Sequence, residues 1–254
     1  MKVVILAGGY GTRLSEYTTA IPKPMVPIGG KPILEHIMDI YSKYEHNDFY
    51  VALGYKSEVI KDYFYNYKIL NSDFKIDLKS GKIYPYKDYS NKWSVNLINT
   101  GNNSMTGGRL LRLKKYINST FFFTYGDAVS DININELLEF HKSHKKLITI
   151  TAVRPPARFG QLNLNDFNIV TSFEEKPQLK QGWINGGFFV MEPEFFNYLD
   201  NDLSILEKEP LEKAAKDGEL VAYKHNGFWQ CMDTKRDKDN LENLIKTNNA
   251  IWLK

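Results

Sequence analysis

Three features carry residue types suited to handling phosphates. The first follows the opening apolar run and reads Leu6-Ala7-Gly8-Gly9-Tyr10-Gly11-Thr12-Arg13. Glycines let a ligand approach the backbone, and successive amide N–H groups can cradle phosphate oxygens. The pattern has no Lys-Ser or Lys-Thr after its last glycine, as a Walker loop requires, and it is not GxGxxG. A tight strand-to-helix turn explains the glycines equally well, but Arg13 adds a permanent cation beside the nest. The second segment, Pro22-Lys23-Pro24, restricts the backbone around one lysine and favours extended geometry. Its ammonium can therefore be aimed, although a solvated surface turn also fits the tripeptide. The third feature is a pair of carboxylates. Asp127 closes the apolar run Phe121–Tyr125, with Gly126 leaving room for a ligand, and open α/β sheets bind ligands at that end of a strand. Asp233, in Trp229–Thr234, could join it on one Mg2+ between phosphates. Each has a plainer alternative, a turn cap for Asp127 and a helix N-cap for Asp233.

The elements that must position these residues show in the hydrophobic pattern. Lys2–Leu6, Asp48–Leu53, Phe121–Tyr125 and Leu147–Val153 read as strands, the third without polar alternation as at the centre of a parallel sheet. After Pro32, suited to a first helical turn, Ile33, Leu34, Ile37, Met38, Tyr41 and Tyr44 recur at helical spacing. Val59, Ile60, Tyr63, Phe64 and Tyr67 mark a second helix. Asn133 with Glu136 resembles a capping box that opens a third through Leu137, Leu138 and His141. This alternation predicts an α/β fold, a doubly wound and mostly parallel (Rossmann-like) mixed sheet. β-Hairpin insertions are expected: the tyrosine-rich stretch 71–93 leaves the sheet, and 159–165 pairs with 168–177. A strand over Ile184–Met191 and helices over Glu207–Lys216 and Arg236–Thr247 complete the pattern. Without repeats or linkers, one domain over residues 1–254 is expected.

Composition narrows the function classes. Thirty-three basic against 30 acidic residues, net +3, is too balanced for a nucleic-acid binder, so the basic residues suit small phosphorylated ligands. One cysteine, Cys231, excludes an internal disulfide. No run reaches the ~18 apolar residues of a spanning helix, and glycines interrupt the N-terminal run before a signal-peptide core could form. A soluble, cytoplasmic chain is expected, with neither nucleic acid nor membrane as partner. The five histidines show no ligand spacing.

LAGGYGTRL (Leu6–Leu14) followed by PKPMVPIGGKPIL (Pro22–Leu34) resembles the signature of the sugar-1-phosphate nucleotidyltransferases. Within that family, Asn99-Thr100-Gly101, SMTGGRL (Ser104–Leu110), FTYGD (Phe123–Asp127), RFGQL (Arg158–Leu162), FEEKP (Phe173–Pro177), INGGFFV (Ile184–Val190) and GFWQCMDTKRD (Gly227–Asp237) resemble the branch using CTP and glucose 1-phosphate. The likeness runs nearly end to end. It implies transfer of CMP from CTP to glucose 1-phosphate, giving CDP-glucose and pyrophosphate, with Mg2+ as cofactor and no covalent intermediate. Arg13, Lys23 and Asp127 are implied as catalytic, with Asp127 and Asp233 as metal ligands. Leu6, Ala7, Gly8, Gly9, Gly11, Thr12, Arg13, Lys23 and Gly126 are implied on the nucleotide, where Ser104, Thr106, Gly107 and Arg109 belong to the loop that reads cytosine. Glu175, Lys176, Asn185 and Gly186 are implied on the sugar phosphate, although EEKP alone reads as an exposed charge cluster. Residues 1–150 would form the nucleotide-binding half, and 151–254 the sugar-phosphate half with the C-terminal helices. A homo-oligomer is also implied, with Tyr63–Tyr89 as a candidate contact. The pattern is broken at Ala128, where glycine is expected. Another sugar 1-phosphate, UTP or dTTP, or a non-catalytic nucleotide-sugar-binding regulator are the competing readings; the presence of Arg13, Lys23 and both aspartates speaks against the last.

Overall fold

The run after Lys2 offers no polar position, so neither face of this strand can be left to water. In the computed structural model, which describes residues 1–86, 91–155, 161–164, 167–174 and 182–254, it forms β1 (Lys2–Ala7). Successive side chains point to opposite faces. Val3, Ile5 and Ala7 therefore enter one core, and Val4 and Leu6 the other. Six more strands join it: β2 (Asp48–Leu53), β3 (Ser94–Asn99), β4 (Phe121–Tyr125), β5 (Ile148–Val153), β6 (Ile184–Met191) and β7 (Leu220–Lys224). Their order is β7-β5-β6-β4-β1-β2-β3. All pairs are parallel except those of β6, which runs against both β5 and β4. The expected α/β sheet is present, mixed through this one strand.

Helices cover both faces. α1 (Ile33–Ser42), α2 (Ser57–Tyr65), α4 (Ile134–His144) and α6 (Lys235–Lys246) border the first core, and α3 (Thr106–Leu111) and α5 (Glu209–Lys216) the second. The Asn133 cap of α4 accepts from the N–H groups of Asn135 and Glu136 at 3.1 and 3.2 Å. The Glu136 carboxylate meets the Asn133 side-chain amide at 2.9 Å, where a full capping box would reach the backbone. As expected, the described residues 71–86 leave the sheet, forming a separate ladder between Phe74–Asp77 and Lys82–Pro85. Gln161–Leu164 pairs with Val170–Glu174. No helix among the described residues is long and apolar enough to cross a membrane.

The registers place the ends of the central strands level: Ala7 pairs with Leu53, and Leu53 with Asn99. Gly8, Gly54 and Thr100 therefore line up along one sheet edge, and Gly126, which follows the Leu6–Tyr125 pair, lies one residue back beside Ala7. The C-terminal turn Ile251–Leu253 docks through Trp252, 1% exposed, whose ring stacks on Phe228 at 5.3 Å. The Trp252 indole N–H donates to His36 Nδ1 at 3.3 Å, and His36 Nε2 lies 2.9 Å from the Ile28 carbonyl. An imidazole that accepts at Nδ1 and donates at Nε2 is neutral.

Burial holds the His36 pKa below its ordinary value, the Ile28 carbonyl only partly opposing it, and burial also lowers His141. His46 is lowered to about 4 by burial and the nearby N-terminal ammonium. A depressed folded-state pKa contributes stability above the unfolded value of roughly 6.5, and that contribution is lost as pH falls. The urea midpoint should therefore drop between pH 7.5 and 5.5, and His36→Gln should shrink that drop. A pH response unchanged by His36→Gln would contradict the assignment. Glu35, raised by burial, works in the opposite direction, which is why the comparison is made at His36.

Candidate active site

Gly11 opens the turn Thr12–Leu14 at φ 63°, a left-handed conformation that favours glycine. A Cβ there would also lie 2.8 Å from Thr18 Cγ2 and 3.0 Å from Lys23 Cβ. The glycine thus serves two ends: it turns the chain and admits Lys23 beside it. Pro22 is extended at ψ 150°, and Lys23 starts the turn Lys23–Met25 between two buried prolines. Gly126 proves to be a packing glycine. A Cβ on it would stand 2.5 Å from the Leu6 carbonyl oxygen and 3.1 Å from Pro24 Cγ. The expected room for a ligand is room for the protein's own backbone, and it draws Asp127 toward Lys23.

Asp127 and Asp233 meet through a short antiparallel ladder between Ala128–Ser130 and Trp229–Cys231, in which Ala128 faces Cys231. The Met232 N–H closes it on the Asp127 carbonyl at 2.8 Å. Lys23 Nζ donates to Asp127 Oδ2 at 2.7 Å and to Asp233 Oδ1 at 2.5 Å, while Arg13 Nη1 lies 2.5 Å from Asp233 Oδ2. The Lys23 side chain is 12% exposed, against 75% for Arg13. Burial opposes the Lys23 charge, but attraction to Asp127 and hydrogen bonds to both aspartates outweigh it and raise its pKa. The N-cap of α6 is Thr234, in a capping box with Asp237. Asp233 is thereby spared the capping role its position allowed. Ala128, the break in the pattern, is buried at 4% exposure within the ladder. The Cys231 thiol is pushed up to about 12 by burial and by Asp233 and Asp127, so it offers no nucleophile near neutrality.

No group of three or more His, Cys, Asp or Glu stands ready for a metal among the described residues. Two carboxylates converging on one cation suit Mg2+, which takes one or two protein carboxylates and completes its shell with phosphates and water.

Two side chains of the loop expected to read the base, Ser104 and Arg109, are engaged mainly with backbone. Ser104 Oγ donates to the Thr100 carbonyl at 2.5 Å. Arg109, 4% exposed, donates to the Gly101 carbonyl at 2.6 Å, Thr100 Oγ1 at 3.1 Å, the Asn102 carbonyl at 3.2 Å and the Leu53 carbonyl at 3.3 Å. Its guanidinium fills the space where a Cβ on Gly8 or Gly54 would go. Gly107 serves packing as well: its missing Cβ would meet the Ser204 carbonyl at 2.8 Å. Gly9, Thr12 and Arg13 are exposed around the loop, while Leu6, Ala7 and Gly8 are buried.

On the other side of Asp127, Asn185 Oδ1 accepts from the Gly187 N–H at 2.8 Å and its amide donates to the Tyr125 hydroxyl at 3.3 Å. Gly186, whose missing Cβ would stand 2.7 Å from Val153 Cγ1, offers its carbonyl to the Trp229 indole at 2.6 Å. Tyr125 donates to Glu207 Oε1 at 2.6 Å. Sequence reasoning missed Tyr125 and Glu207. Tyr125 was hidden in an apolar strand, and Glu207 in a charged helix start. Glu175 and Lys176 lie outside the described residues.

A nucleotidyl transferase family model matches residues 2–234. The chain is 49% identical to the glucose-1-phosphate cytidylyltransferase of Salmonella typhimurium, over 99% of this chain and 98% of that protein. It is 41% identical to a probable glucose-1-phosphate cytidylyltransferase of Bacillus subtilis, over 99% of each. The crystal structure of HddC from Yersinia pseudotuberculosis superposes with a TM-score of 0.71 at 26% identity, over 96% of this chain and 99% of that one.

Replacing Lys23 by Met should leave two aspartates facing each other without their ammonium. Both are partly solvated, so the loss should be modest, about 1–2 kcal/mol in urea unfolding at pH 7.5. Adding Asp127→Asn should recover part of it, giving a coupling energy of opposite sign to the single losses. Strict additivity would show that the ammonium does not hold the pair.

Proposed function

The chain belongs to the nucleotidyl transferase family, and from that premise we propose that it transfers the CMP moiety of CTP to glucose 1-phosphate, giving CDP-glucose and pyrophosphate. The observation that carries the reading is the convergence of Lys23, Arg13, Asp127 and Asp233 at the ligand-binding edge of the sheet. The 49% identical relative supports the choice of substrates.

A phosphate oxygen of the sugar phosphate attacks the α-phosphorus of CTP in line. One P–O bond forms, the bond to the β-phosphate bridge breaks, and pyrophosphate takes the electron pair. The nucleophile is already an anion near neutrality, so the chain needs no general base. What it must supply is positive charge where two anions meet and where the leaving group gathers charge. The largely exposed Arg13 and the nearly buried Lys23 supply it to the β- and γ-phosphates, beside the loop that Gly8 to Thr12 forms after Leu6 and Ala7. Asp127 and Asp233 fit Mg2+ through their hard oxygens, and the ion when bound would screen the repulsion between the two substrates' phosphates. Arg109 borders Gly8, and exchanging one backbone carbonyl for O2 or N3 of cytosine would make it the base reader, with Ser104 beside it. Asn185 faces the sugar, and Glu175 and Lys176 are assigned to the sugar phosphate on the family pattern alone.

On this reading residues 1–150 supply the nucleotide side and 151–254 the sugar side within one domain, Asp233 crossing back to complete the metal pair. A cytoplasmic setting suits a chain with one cysteine and nucleotide substrates. The exposed apolar side chains of Tyr65, Leu70, Leu78 and Tyr86 support a homo-oligomer with its contact on Tyr63–Tyr89; Lys87–Ser90 of that stretch lie outside the described residues.

Two measurements test the reading. Uracil exchanges the N4 donor for an acceptor and the N3 acceptor for a donor, leaving two mismatched groups at about 1–3 kcal/mol each. CTP should therefore exceed UTP by roughly 10- to 10⁴-fold in kcat/KM with glucose 1-phosphate; equal values would leave only the wider family. Asp127→Asn should lower kcat by at least ~10²-fold with the fold retained. Turnover near wild type at saturating Mg2+ would remove Asp127 from the catalytic set.

A further inference from the structure

Glu207 joins two parts of the site that the sheet does not connect. Its Oε1 accepts from the Tyr125 hydroxyl at 2.6 Å and its Oε2 from Thr106 Oγ1 at 2.7 Å. Tyr125 stands at the end of β4, two residues before Asp127, while Thr106 opens α3 on the nucleotide side. The carboxylate is exposed, yet the segment that carries it is pinned. Met105 N–H donates to the Asp202 carbonyl at 2.8 Å and Gly108 N–H to the Ser204 carbonyl at 3.1 Å. Arg112, the C-cap of α3, grips the Asp202 carboxylate, with its Nε at 2.8 Å. The Leu206 N–H donates to Thr106 Oγ1 at 2.9 Å, which leaves that hydroxyl's proton for Glu207. Gly107 and Gly108 permit this approach, since a Cβ on either would overlap the carbonyls of Ser204 and Asp202.

The consequence lies in the direction of the hydrogen bonds. A carboxylate only accepts, so the Tyr125 proton is committed to Glu207 and the phenol oxygen presents lone pairs to its other neighbours. Burial, reinforced by Glu207, raises the Tyr125 pKa, so the proton stays on the phenol. Asn185 is polarised too. Its Oδ1 is held by the Gly187 N–H, which can only donate, so its amide nitrogen faces Tyr125. Asn185 thus has a second N–H to give, and Tyr125 has a lone pair to receive.

We propose that Glu207 is a positioning residue that sets Tyr125 as a hydrogen-bond acceptor beside the Asn185 donor, a pair matched to one hexose hydroxyl, and that it ties this setting to α3. The proposal rests on the sugar-phosphate reading of Asn185. A hydroxyl held this way accepts from Asn185 and donates to Tyr125, so an epimer that moves it, or a deoxy analogue that lacks it, forfeits both bonds.

The experiment measures KM and kcat for each substrate in wild type, Glu207→Ala, Glu207→Gln, Tyr125→Phe and the Ala/Phe double variant. Glu207→Ala should raise KM for glucose 1-phosphate about tenfold, the scale of one hydrogen bond, and leave KM for CTP within about twofold. Glu207→Gln keeps an oxygen for Tyr125 and should restore most of the loss. In the Tyr125→Phe background Glu207→Ala should add little. Discrimination between glucose 1-phosphate and its galactose and mannose epimers should narrow in Glu207→Ala. Equal rises in both KM values, additivity with Tyr125→Phe, or a lowered Tm with unchanged KM would overturn the proposal. If the wild type prefers another sugar 1-phosphate, the substrate assignment fails and the same ratios, taken with that sugar, still judge Glu207. If no sugar 1-phosphate is turned over, both fail.

Discussion

Two carboxylates held near one point repel each other, and in this chain a lysine ammonium settles the conflict. Lys23 touches both Asp127 and Asp233 and is itself nearly buried. In a medium less polar than water the attraction is strong enough to raise the lysine's pKa against its own desolvation. The arrangement is self-consistent only with a cation between the aspartates, which is also what a divalent ion would supply. Arg13, largely exposed on the far oxygen of Asp233, adds a second positive group that incoming phosphates can meet first. Positive charge is thereby concentrated where the proposed reaction must bring two anions together.

Backbone proximity makes that cluster geometrically attainable. Gly126 lets β4 close on the Leu6 carbonyl and Pro24, and Gly11 lets the glycine loop close on Lys23. The ladder from Ala128 to Ser130 then carries the distant Trp229–Cys231 segment alongside, so that Asp233 arrives opposite Asp127. Each contact is modest, but each places the next. The C-terminal turn supports the same segment from behind through Trp252 stacked on Phe228.

A second layer of organisation crosses the site. Helix α3 and the segment Asp202–Glu207 interlock through glycines, a bidentate arginine and a threonine hydroxyl. Arg109 from the same helix spans the ends of β2 and β3 by holding carbonyls at Leu53, Gly101 and Asn102. The halves proposed for nucleotide and for sugar are therefore not independent lobes meeting at Asp127 and Asp233. The two proposed sides share one helix, whose N-terminal residue Thr106 leads to Glu207 and Tyr125, and whose Arg109 leads to Gly8.

Much of this was written in local sequence. The apolar runs of β1, β2 and β4, the helical faces of Ile33–Tyr41 and Val59–Phe64, and the loop Gly8–Arg13 are patterns of adjacent residues, and local backbone preferences act on adjacent residues. The motif likeness named Lys23, Asp127 and Asp233 by the same means. What the sequence could not show was which glycines face a ligand and which face the chain, because a missing Cβ looks identical in both settings; Gly107 and Gly126 proved to face carbonyls. Nor could it show that Lys23 bridges both aspartates, that Arg109 is buried among backbone oxygens, or that Glu207 links Tyr125 to Thr106. These partners lie from 7 to 210 positions apart in sequence. The ones far apart meet only when the sheet order brings β4 between β1 and β6, a choice made by packing two apolar cores at once rather than by any residue's own preference.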